Sequence, residues 1–184
     1  MKENLKKYSI QFIKEIIPVI AGILIALFIE NWNSERKDKA YIDQVFVTVD
    51  KELKDSKDNI ITTIPRQQKL MDTLQYYADR KDVNILNIVI KAGGFYSPQL
   101  KTNAWKTAST TKIDLVDYKK INSLSKIEEI KDILKGKNDF LMSYAYNNIN
   151  STEKNTKITF KMILNDIIQN EKTALQVIED YEKH

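Results

Sequence analysis

The chain has no cysteine, only four glycines and three prolines, and a single histidine, His184. Without cysteine there is no disulfide framework, no thiolate nucleophile and no sulfur-ligated metal. One histidine at position 184 leaves imidazole acid–base chemistry and histidine metal sites without material. Such sparse glycine and proline gives too little punctuation for a many-stranded sheet, and neither a phosphate-cradling loop nor a nucleophile elbow occurs. Arginine is confined to Arg36, Arg66 and Arg80. Nucleic-acid readers favour arginine forks on clustered basic faces, whereas the net charge of +4 here is spread over lysines. The expectations are no enzyme activity, no metal, no cofactor and no nucleic-acid partner. Carboxylate pairs such as Glu128–Glu129 and Glu179–Asp180 sit among lysines and read as solvated helix faces.

Long apolar runs are also lacking, with one exception. Residues 16–29, Ile-Ile-Pro-Val-Ile-Ala-Gly-Ile-Leu-Ile-Ala-Leu-Phe-Ile, carry no charge and lie between Glu15 and Glu30. Fourteen residues make roughly 21 Å of helix, short of a hydrocarbon core of about 30 Å. Extending back to Tyr8 gives about 33 Å, at the cost of including Lys14 and Glu15. Six Ile, two Leu, Val19 and Phe28 favour insertion by roughly 3 to 6 kcal/mol. The two charges fall near the amino-terminal interface, where Lys14 can extend its amine to the head groups. Trp32 suits the opposite interfacial belt as an anchor. A cleaved signal peptide needs small residues after the apolar run, and Phe28-Ile29-Glu30-Asn31-Trp32 offers none. The expected organisation is residues 1–33 as tail and transmembrane anchor and residues 34–184 as one domain. Four lysines before the run against Arg36, Lys37 and Lys39 after it bias the amino terminus toward the cytoplasm.

Beyond the anchor the periodicity is helical. Tyr41, Ile42, Val45, Phe46, Val49 and Leu53 recur in steps of three and four, and Leu70, Leu74 and Tyr77 resume the pattern. Pro65 between them predicts a kink or a break. Asp82 is the expected cap of a short helix over Val83–Lys91, which Gly93-Gly94 ends. Thr102 or Asn103 starts a helical turn around Trp105. Asp117 opens a long helix with Ile121, Leu124, Ile127, Ile130 and Leu134 inward and a bend near Gly136. Ser151 or Thr152 starts the last, with Phe160, Ile163, Leu164, Ile167, Ile168, Leu175 and Ile178 on one side. The fold class is all-α: one N-terminal transmembrane helix continuing into an antiparallel helical bundle.

Glu15-Ile16, Gly22 to Leu27, and Asn31-Trp32-Asn33-Ser34-Glu35-Arg36 resemble the opening of a Bacteroidota domain-of-unknown-function family of uncharacterised envelope proteins. A second likeness runs through Phe95, Pro98, Leu100, Thr102, Ala104-Trp105, Thr107-Ala108, Leu115-Val116-Asp117-Tyr118 and Leu124-Ser125. The two cover about a third of the chain. The resemblance implies a single span in the bacterial inner membrane and a periplasmic helical domain. It implies no activity.

Two local features bear on function. On a helical wheel Gln11, Glu15, Pro18, Gly22 and Ala26 share one face, polar, small or proline, while large aliphatics fill the others. Gly22 and Ala26 are a small-xxx-small pair that lets another helix approach closely, and Glu15 is tolerable facing protein but costly facing lipid. The plainer reading is that Glu15 marks the interface. Trp105 either plugs the bundle core, with one acceptor for its indole N–H, or lines a pocket. The expected function is an accessory or scaffold subunit whose span packs on an integral membrane protein, or on a second copy, within the lipid bilayer. The alternative is a ligand-binding sensor acting through a partner. Only a short tail precedes the span, too little for a signalling output domain, which favours the scaffold.

Overall fold

The computed structural model describes residues 2–183, with side chains from Phe12 onward. Among them the elements are five α-helices and one short 3₁₀ turn, with no strand. They are α1 (Lys2–Tyr76), α2 (Ile85–Ala92), α3 (Asn103–Thr111), the turn Ile113–Leu115, α4 (Tyr118–Asn147) and α5 (Lys154–Tyr181). The chain divides into two compact units, residues 1–44 and 45–184.

The first unit is the helix α1 up to Gln44. It contains a stretch near the amino terminus long and apolar enough to cross a membrane, none of it buried within the chain.

In the second unit α1 buries Val49, Leu53, Ser56, Ile60, Thr63, Gln67, Leu70 and Leu74, spaced by alternating steps of four and three, with Met71 buried beside them. That spacing keeps one narrow seam facing a partner helix, as in coiled-coil packing. α5 has the same seam in Lys157, Phe160, Leu164, Ile167, Glu171, Ala174, Ile178 and Tyr181. The two run antiparallel, because Asp50 accepts from Tyr181, Gln67 reaches Glu171, and Gln75 accepts from Lys161. α4 packs antiparallel to α5 and buries Leu124, Ile127, Ile130, Leu134 and Leu141. Each such Leu or Ile contributes about 1.5–3 kcal/mol by leaving water.

The connections explain how the bundle closes. α2 ends on Gly93 and Gly94, at φ of 97° and 109°. Their amides return to the carbonyls of Ile90 and Val89, a turn that needs left-handed residues. An extended strap, residues 95–102, then descends along α1. Side chains on one face of α1 hold its backbone: Gln67 donates to the Tyr96 carbonyl, Asn59 accepts from the Gln99 amide, and Ser56 from the Lys101 amide. Glu52 accepts from the Ala104 amide in the first turn of α3.

Several local expectations are corrected. α1 continues unbroken past Pro65. The proline lies on the exposed face, where water can reach the Ile61 carbonyl left without its helical donor, and seam residues pin the helix on both sides. Gly136 likewise lies inside a continuous α4. Asn84, not Asp82, caps α2, its side chain accepting from the Asn87 amide. Asp82 instead forms a forked pair with Arg80 at 2.7–2.8 Å. Glu153 occupies the cap position of α5. Asp117 caps α4 as expected, at 2.8 Å from the Lys119 amide.

Candidate functional site

Each unit carries one group of residues that packing alone does not account for. In the first, Glu15, Pro18, Gly22 and Ala26 follow one another at helical spacing, and all are exposed. Gln11 lies outside the described side chains. A methyl group added at Gly22 meets nothing within 4 Å, so the notch is open. Ile20, Ile23, Leu24 and Phe28 on the remaining faces are 50–72% exposed. Pro18 lacks an amide hydrogen, so the Lys14 carbonyl loses its helical donor beside the same face. Trp32 is exposed at the end of the apolar stretch, with the Arg36 guanidinium 5.9 Å from its ring centre. That pairing sets a guanidinium over the face of an amphipathic indole, a cation–aromatic arrangement suited to an interfacial belt.

In the second unit the group lies within the seam. Lys157 and Glu171 of α5 are both fully buried. Lys157 Nζ donates to the carbonyls of Tyr77 at 3.0 Å and Arg80 at 2.5 Å, just beyond the end of α1. Burial pulls its pKa below the usual lysine value. Glu171 Oε1 accepts from Gln67 Nε2 at 2.7 Å. Burial pushes the Glu171 carboxyl up to about 7, and the Gln67 hydrogen bond offsets part of that rise. Glu171 Oε2 and Gln67 Oε1 have no hydrogen-bond partner. Toward the other end, the Tyr181 hydroxyl donates to Asp50 at 2.8 Å. Burial, with that acidic acceptor, raises its pKa.

Sequence reasoning missed Gln67, Lys157 and Glu171. The signal was available: each falls in register with leucines, isoleucines and Phe160 at steps of three and four, where an amphipathic helix places no charge on its own account.

Trp105 is 2% exposed in the core, but its indole N–H has no acceptor, contrary to the expected single partner. Two surface clefts flank α4. One, about 190 Å³, is lined almost entirely by carbon from Ile85, Leu86, Val89, Phe95, Met142 and neighbours. The other, about 450 Å³, lies between the strap and α4 and includes Lys101, Lys131, Lys135 and Asn138. Trp105 lines neither. Tyr144 stacks on Phe160, whereas Tyr76 and Tyr146 are exposed. Among the described residues no group of three or more acidic or histidine side chains is placed to hold a metal ion.

No family model, curated protein or solved structure matches the chain.

Proposed function

We propose that the chain is a membrane-anchored accessory subunit, without enzymatic activity of its own, whose span packs against another integral membrane protein. The observation that carries this is the notched face of α1. A carboxylate, a helix-interior proline and a small-xxx-small pair share one exposed stripe of an otherwise aliphatic helix. Lipid gives such a stripe no shape to fill the Gly22 notch. A second helix supplies it, and van der Waals packing at small residues is a main source of association in bilayers.

The bundle then stands outside the cytoplasm, in the periplasm of a single-span envelope protein with its amino terminus inside. The lysines ahead of the span support that orientation. Trp105, closed into the core, supports the scaffold over a sensor, since a sensor needs an accessible polar cavity at the residue that reads its ligand.

Gly22→Leu tests the reading. The added side chain fills the notch in the first unit, so association in membranes weakens about tenfold or more while the bundle's thermal transition stays put. Unchanged association after Gly22→Leu contradicts the proposal. A carboxy-terminal alkaline phosphatase fusion reports topology: activity is expected, and an inactive fusion reverses the orientation.

A further inference from the structure

The Gln67–Glu171 contact leaves an atom count that does not close. The Gln67 amide nitrogen has two hydrogens, and both are used: one on Glu171 Oε1 at 2.7 Å, the other on the Tyr96 carbonyl at 3.1 Å. The Tyr96 carbonyl accepts only, so the amide cannot be turned over without setting oxygen against oxygen. Gln67 Oε1 therefore faces away from that carbonyl and needs a donor, and it has none. Glu171 Oε2 is equally buried and equally without a partner. Two orphaned acceptors on two side chains already joined by one short hydrogen bond lack a single hydrogen between them.

We infer that Glu171 is an uncharged carboxylic acid in the folded bundle, its proton on Oε2 bridging to Gln67 Oε1, so that the pair is a proton-dependent clasp of α5 on α1. An acid and a primary amide meeting in this way close a ring of two hydrogen bonds, in which the amide N–H donates to one carboxyl oxygen and the acid O–H donates to the amide oxygen. All four polar atoms are then satisfied, which is the condition for tolerating them in an apolar seam.

Among the described residues no cation is paired with the carboxylate instead. Charged and titratable groups on the surrounding elements are committed elsewhere. On the strap and α1, Tyr96 donates its hydroxyl to the Gly93 carbonyl, and Arg66 lies 4.6 Å over the Tyr96 ring. On α4, Lys131 donates to Thr102 and Lys137 pairs with Asp166. Burial and Gln67 alone set the carboxyl's proton affinity. When base removes the proton, the seam holds a bare carboxylate facing an amide oxygen, and the α1–α5 contact loosens.

The direction of the pH effect follows from linkage. Burial holds the carboxyl at about 7 in the fold, above the 4.5 of a solvated glutamate, so folding takes up a proton between those limits. The stabilisation is complete below about pH 4.5, declines as pH rises toward 7, and is lost above it. Glu171→Gln keeps the volume and offers an amide–amide ring with no proton to lose. In the full chain reconstituted in lipid nanodiscs, the wild-type folding constant relative to that of Glu171→Gln should fall on the order of 100-fold from about pH 4.5 to pH 8. Parallel stability profiles for the two overturn the inference. The carboxyl carbon resonance of Glu171, followed by NMR in the wild-type chain, gives a second reading that does not depend on the variant's folding. A titration midpoint near neutrality is expected, and one in the ordinary carboxylate range overturns the clasp.

Discussion

Lys157 Nζ sits 3.0 Å from the Tyr77 carbonyl and 2.5 Å from that of Arg80, so a buried ammonium of α5 closes the carboxyl end of α1. The last carbonyls of any α-helix lack intrahelical donors, and the helix dipole places partial negative charge there. The Lys157 ammonium sits in the turn just beyond that end, where positive charge is favoured, and it couples the end of a 75-residue helix to the start of the last one.

Lys157→Met keeps the apolar stem and removes the charge. It removes the charged donor from the Arg80 carbonyl and leaves the Tyr77 carbonyl with the Arg80 amide alone, and a charged hydrogen bond is worth about 1.5–3 kcal/mol, so a loss of about 2 kcal/mol is expected. Chemical denaturation of the full chain measures it, and a variant as stable as wild type removes the capping role.

Two glycines should respond in opposite directions. Gly93 has φ of 97°, and an added methyl would meet only the flexible Lys69 Nζ at 3.9 Å, an ordinary contact, so Gly93→Ala costs conformational strain of about 1 kcal/mol. Gly136 lies inside α4 with nothing within 4 Å of an added methyl. Gly136→Ala should stabilise by about 0.5–1 kcal/mol. Thermal unfolding of the two variants side by side decides the matter, and destabilisation by Gly136→Ala would show that its freedom is used.

Trp105 separates ring from polar group. Trp105→Ala should cost about 3–5 kcal/mol through lost burial and a cavity. Trp105→Phe removes an indole N–H that has no acceptor and retains much of the apolar volume, so its cost should be the smaller by far. Equal losses would mean that the N–H is bonded after all.

The residues that sequence made legible share a local cause. Gly93-Gly94 ends α2 because only residues at ease with positive φ make that turn, and Asp117 opens α4 because a short carboxylate reaches the first amides. The inward faces of α4 and α5 repeat at helical period, and burial follows them closely. What was not legible depends on distant partners. Pro65 forbids one hydrogen bond, yet α1 persists because α5 pins it on either side. Gln67 and Glu171 look like ordinary polar residues until two helices 104 positions apart are laid together. Thr102 holds the cap position of α3 as read, but its hydroxyl accepts from Lys131 rather than from the helix, and Glu52 from α1 takes the first-turn amide instead. On the span, the spacing of Glu15, Pro18, Gly22 and Ala26 was legible, while the identity of whatever fills the notch is not written in this chain.

The measurement that bears most directly on the membrane account is gentle extraction of tagged wild type and Gly22→Leu from their native membranes, with size and composition of the recovered particles compared. A distinct integral membrane protein at fixed stoichiometry is expected with wild type and absent from Gly22→Leu whose bundle remains folded; recovery of the chain alone in both cases would overturn the role of the notched face.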